Sequence, residues 1–232
     1  MRTEAEVDPA LVTTELVTTE LVDTELVDTE LVTTELVTTK DLRRAGFPFR
    51  SSALCLDFVA TLAKRGMGDR ELLAGPAELG TWLRAAALPG ALGPVTDGDV
   101  AGARVLREAI HDLTRARVDQ RPAPPAAIEL VNAAARPGPP GALIGPDGIT
   151  RLPPERAPLD TVLAIVARDA VELFTGSYRH RIRACIGHDC SLFFVDRSRP
   201  GARRWCAMAA CGEKASSATY RRRHPANAGP HR

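Results

Sequence analysis

Four cysteines constrain this chain more than any other feature. They are spaced Cys185-x4-Cys190-x15-Cys206-x4-Cys211, inside RIRACIGHDCSLFFVDRSRPGARRWCAMAACGEK. Disulfides, redox pairs and metal sites all use clustered cysteines. No run of the chain approaches 18 apolar residues, and the opening MRTEAEVDPA is acidic with no continuous apolar stretch. The expectation is a cytoplasmic protein without membrane contact, whose thiols stay reduced. The CxxC of a redox pair is absent, and the spacing fits neither common iron–sulfur run. A tetrahedral zinc ion needs four soft donors at about 2.3 Å, and each cysteine pair can reach it from one tight turn. Cys185, Cys190, Cys206 and Cys211 are therefore the expected ligands of one structural zinc. Four thiolates leave the metal no open position, so metal-based catalysis is not expected. His188 reads as a turn residue and Cys55, in ALCLDF, as a buried apolar one.

Local patterning extends the metal site into a fold. Gly187 and Asp189 supply turn chemistry for the first pair. SLFFVD alternates as a strand should, SRPGA is a turn, and RRWC reads as a short returning strand. From Ala207 the sequence turns helical, which puts Cys211 in the first turn of a helix. A knuckle on a hairpin plus a second pair at a helix start is a treble-clef arrangement.

Upstream, periodicity points to helices. Leu54, Phe58 and Leu62 share one face of a helix that Gly66 and Gly68 end. Pro76 starts a second, with Leu79, Trp82 and Leu83 inward. Thr96 or Asp97 caps a longer one, whose stripe is Val105, Leu106, Ile110 and Leu113. PPAAIELVNAAAR is a further helix, and GALIGPDGITRL is a hairpin around Pro-Asp-Gly. PLDTVLAIVARDAVELFTG is a helix capped by Asp160 and ended by Gly176. His111 and Asp112 fall on a polar helix face. Neither a nucleophile–base pair, a phosphate loop nor HExxH occurs, so no enzyme is expected. The fold class expected is α+β and helix-rich.

Residues 11 to 40 are six pentads, LVTTE or close variants. Five helical steps rotate successive Leu-Val pairs by about 140°, and five strand steps reverse the face, so neither element gains a buried side. The tract is expected to be low-complexity and unfolded.

Charge divides the chain in two. From Gly176 onward there are twelve basic residues, opposed only by Asp189, Asp196 and Glu213, a net of +9. The whole chain is +1, so the first 175 residues carry −8. Zinc held by four thiolates is a −2 centre and accounts for two of those positive charges. The remainder points to an anionic partner. Arg203, Arg204, Lys214, Arg221, Arg222 and Arg223 are the residues expected to meet the phosphates of DNA. Binding an acidic protein partner is the alternative.

These residues resemble a known family. CSLFFVDRSRPGARRWCAMAACGEK is similar to the CGNR zinc finger, a bacterial four-cysteine module, through its D-x-S-R, R-R-W-C and Cys-Gly. GFPFRSSALCLDFVATLAKRG and PAELGTWLRAAAL resemble the ABATE domain that usually precedes it. The resemblance implies a stress-induced transcription regulator that uses its finger on DNA. The upstream domain would sense a small-molecule effector or assemble a homo-oligomer. The expected organisation is a disordered pentad repeat at 1–40, an ABATE-like domain at 41–176, a zinc finger at 177–224 and a disordered tail at 225–232. Where the family has Asn-Arg, this chain has Glu213-Lys214, which keeps one charge, loses the guanidinium fork and adds an acid.

Overall fold

The computed structural model describes residues 43–88, 93–138, 143–152 and 157–223. The pentad tract and the tail from 225 lie outside the described residues. The described chain is helix-rich, with every strand in a two-stranded antiparallel hairpin. The hairpins are β1 (Arg43–Arg44) with β2 (Phe47–Pro48), β3 (Leu62–Ala63) with β4 (Arg70–Glu71), β5 (Leu143–Ile144) with β6 (Arg151–Leu152), and β7 (Ile182–Ala184) with β8 (Phe193–Val195). Hairpins this short gain their stability from what they pack against.

Helices supply that packing. They are α1 (Leu54–Val59), α2 (Pro76–Ala85), α3 (Asp97–Val118), α4 (Pro125–Ala135), α5 (Leu159–Thr175) and α6 (Glu213–Arg223). Helix α2 starts at Pro76 and buries Leu79, Trp82 and Leu83 as its spacing requires. Helix α3 opens on a capping box: Thr96 Oγ1 accepts the Asp99 N–H, and the Asp99 carboxylate accepts the Thr96 N–H. Its buried stripe runs through Ala103, Leu106, Ile110 and Leu113. One apolar core joins α1 to α5 with Ile182, Phe193 and Val195 of the last hairpin.

Four local expectations need correction. Helix α1 stops at Val59: the Thr61 hydroxyl donates to the Phe58 carbonyl at 2.7 Å, and the chain then reverses through Gly66 and Gly68, both at positive φ. Leu62 therefore pairs with Glu71 in a strand instead of extending the helix. Val105 is 52% exposed, because one helical step from Leu106 carries it off the buried stripe. Pro158 is the N-cap of α5, with Asp160 inside the first turn. The run before Cys206 forms no strand; β8 pairs with β7, and the Asp196 carboxylate holds the Arg203 N–H at 2.9 Å instead.

A buried cation fixes the β3–β4 hairpin. Arg107 on α3 is 3% exposed and grips Glu71 with two bonds, 2.6 and 2.7 Å, and Glu108 with a third at 2.9 Å. Removing Glu71 would leave the buried Arg107 charge without its two-bond partner. Arg65 doubles the link, bonding Glu108 at 2.6 and 3.1 Å. Lys64 and Arg65 are thereby presented towards the cysteine module.

Candidate metal centre

Strands β7 and β8 carry the first cysteine pair in the loop that joins them. The second pair brackets the entry to the last helix, where a π-helical turn at Met208–Gly212 leads into α6. Cys185 donates its N–H to the Leu192 carbonyl at 2.9 Å, and Cys190 donates to Gly187 at 3.2 Å, closing the knuckle. Ile186 N–H reaches the Arg204 carbonyl at 3.1 Å and brings the second pair alongside the first.

The four sulfur atoms lie within 4.8 Å of one another. Cys206 Sγ is 3.8 Å from both Cys190 Sγ and Cys211 Sγ. Four sulfurs bonded to a tetrahedral zinc at about 2.3 Å are about 3.8 Å apart, so the spacing suits the ion. It is far too long for a disulfide. Main-chain donors agree: Gly187 and Cys206 both point N–H groups at Cys185 Sγ, at 3.4 and 3.3 Å, as a ligating thiolate favours. A Cβ on Gly187 would sit 2.9 Å from Cys211 Sγ and 3.0 Å from its Cβ, so the close approach at this position requires glycine.

Without a cation the cluster cannot ionise evenly. Hydrogen bonds from Cys190 and Cys206 hold the Cys185 thiol far below its usual range. The same Cys185 contact pushes Cys206 far up, and burial pushes Cys211 up to about 12. A divalent ion resolves this conflict, because each thiolate then faces the metal. His188 is exposed outside the cluster, and Cys55 is fully buried in the main core.

A family model for ABATE, described as "Putative stress-induced transcription regulator", matches residues 52–177, and the CGNR zinc finger model matches residues 181–224. The chain belongs to the ABATE family. No curated protein matches it. Together the ABATE domain and the CGNR finger make it a zinc-binding regulator by family, and neither family is an enzyme type. The cysteine cluster fits one structural zinc, and the helix-rich α+β architecture with a zinc finger is as expected. Among the described residues no helix is long and apolar enough to cross a membrane.

The basic residues occupy different settings. Arg203 lies over the Phe194 ring at 5.0 Å and donates to the Cys206 carbonyl at 2.5 Å, inside the finger. Arg204 is exposed and lies over Trp205 at 5.2 Å; Lys214 is exposed on α6. Arg221, Arg222 and Arg223 end α6, and their side chains lie outside what is described.

Sequence reasoning missed the seam between the finger and the ABATE body. Val195 N–H donates to Ser51 O at 2.8 Å, and the Arg197 guanidinium donates to Ser52 O at 3.1 and 3.2 Å. Arg65 N–H meets Ser191 Oγ at 3.0 Å, and Lys64 Nζ meets Asp189 at 3.1 Å. His111 faces this seam and not solvent: its ring lies 5.7 Å from Phe193, and burial, then Arg65, hold its pKa below the usual value. Pairings between residues 82 to 145 apart leave no local signal in one sequence. The only clue was that β8 is apolar at every position, as a strand covered on both faces must be.

Proposed function

We propose that this ABATE protein is a zinc-dependent DNA-binding regulator, with the finger on the phosphate backbone and the helical domain sensing a signal or mediating assembly. One observation carries the reading: Arg204 and Lys214 stand exposed with no ion pair among the described residues, while two of the finger's three acids, Asp189 and Asp196, are engaged within the protein. Asp189 pairs with Lys64 of the body. Asp196 is buried; burial opposes its ionisation, but hydrogen bonds from Ser198 and Arg203 outweigh that and hold its pKa low. Arg204 and Lys214 are exposed and make no ion pair among the described residues. Arg181, Arg183, Arg197 and Arg203 donate to backbone carbonyls, which satisfies their geometry without cancelling their charge.

A duplex titration of the zinc-loaded chain at several salt concentrations tests the proposal. With about 4 to 6 phosphate contacts, log K against log salt has a slope of roughly −4 to −5. Replacing Arg221, Arg222 and Arg223 together by Ala flattens that slope by about 2 to 3 units, weakens binding to all sequences alike and leaves zinc content unchanged. Glu213→Asn with Lys214→Arg strengthens binding. No binding at about 50 mM salt, with zinc loaded and the fold intact, overturns the DNA reading and favours an acidic protein partner.

A further inference from the structure

The zinc site has an outer wall that belongs to the ABATE body. Ala60, the C-cap of α1, packs in one apolar cluster with Cys185, Cys206, Cys211, Leu192 and Phe194. The loop before α1 carries Arg50 and Ser51. That loop is held by one carboxylate: Asp57 Oδ1 accepts the Arg50 and Ser51 N–H groups at 3.0 and 2.9 Å. Its Ser51 and Ser52 carbonyls in turn receive Val195 and Arg197 of the finger. At this same N-terminal end α1 is pinned to α5, where Asp169 accepts the Cys55 N–H at 2.8 Å.

We propose that residues 50–60 form the supporting shell of the zinc centre, so that metal occupancy and the packing of α1 in the ABATE body are thermodynamically linked. Four thiolates on zinc fix the knuckle and the start of the last helix relative to each other. Ala60 rests on that assembly, and the 50–52 loop is hydrogen-bonded to the strand leaving it. Without the ion no metal–sulfur bond ties the knuckle to the start of the last helix, and the surface that α1 packs on is no longer fixed. Linkage runs both ways: a weaker seam must also loosen the metal. The inference rests on the zinc site alone and stands whether or not the finger binds DNA.

Cys55 is a built-in reporter. It is fully buried on α1, does not belong to the metal cluster, and burial raises its thiol pKa. The full-length chain is treated with a maleimide under reducing conditions, with and without prior zinc removal by a chelator, and labelled cysteines are assigned by mass spectrometry. In the loaded protein all five cysteines are expected to be protected. After chelation the four ligands label at once, and Cys55 labels at least about tenfold faster than before. Arg197→Ala, a change at an exposed side chain that touches no ligand, speeds zinc transfer to a chelating dye by about fivefold or more. Complete labelling of the four ligands with Cys55 still protected at its original rate overturns the proposal. So does an Arg197→Ala chain that is folded and releases zinc at the unaltered rate.

Discussion

At the level of single residues, the centre depends on sulfur identity and on one missing side chain. Cys185→Ser or Cys211→Ser removes a thiolate that the ion needs, so metal analysis should fall from about one zinc per chain to near none, with the finger unfolding. Cys55→Ser leaves metal content unchanged, because Cys55 lies outside the cluster. Asp57 gives a pH signature. Burial raises its carboxyl from 3.8 to about 6, against hydrogen bonds from Ser51 and Arg50 and the charge of Arg44. The folded state therefore holds this proton more tightly than the unfolded chain does. That contribution to stability is full below about pH 4 and is lost as pH rises to about 6. Asp57→Asn keeps the acceptor oxygen and cannot ionise. Its unfolding free energy relative to the parent chain should climb between about pH 4 and 6 and stay level above, by a total of order 1 to 3 kcal/mol. A difference that is flat with pH would contradict the buried, titrating carboxylate.

Among the elements, legibility followed length and the reach of the cause. Helix α3 was readable because 22 residues repeat one stripe and Thr96-x-x-Asp99 marks its start. Thr96→Ala should lower stability by about 1 kcal/mol in chemical denaturation and leave zinc content intact, since the cap lies on the helical body. Helix α1 was over-extended because Leu62 continues the fourfold spacing. What ends the helix is a hydroxyl folding back on Phe58, with a hairpin two residues long that is too short to show alternation. RRWC was misread for a related reason. A carboxylate ten residues before Cys206 holds that run, and a side chain doing the work of a ladder leaves no periodic trace. The cysteine cluster was legible because metal chemistry fixes ligand type and spacing together. Its outer wall was not, because Ser51, Ala60 and Lys64 are ordinary residues that matter only through contacts made over a hundred residues away.

For the molecule as a whole, a helical body of no net charge and a basic finger share one core, and the chain's excess of acid lies in residues 1–40. Ile182, Phe193 and Val195 pack with the helices, and Phe194 packs with the cysteine cluster. The finger is thereby fastened to the helical body. The pentad tract has no period that could give it a buried face. A chain beginning at Asp41 should melt within about 3 °C of the full one and keep its zinc; a larger drop would show that the tract packs on the body.

Zinc K-edge X-ray absorption on the purified, reduced full-length protein tests the central claim most directly. Four cysteines on one ion predict a first shell of four sulfurs at about 2.3 Å, with no nitrogen or oxygen scatterer, at about one zinc per chain. A folded chain that carries no zinc when reduced, or a shell in which nitrogen or oxygen replaces sulfur, would contradict the account.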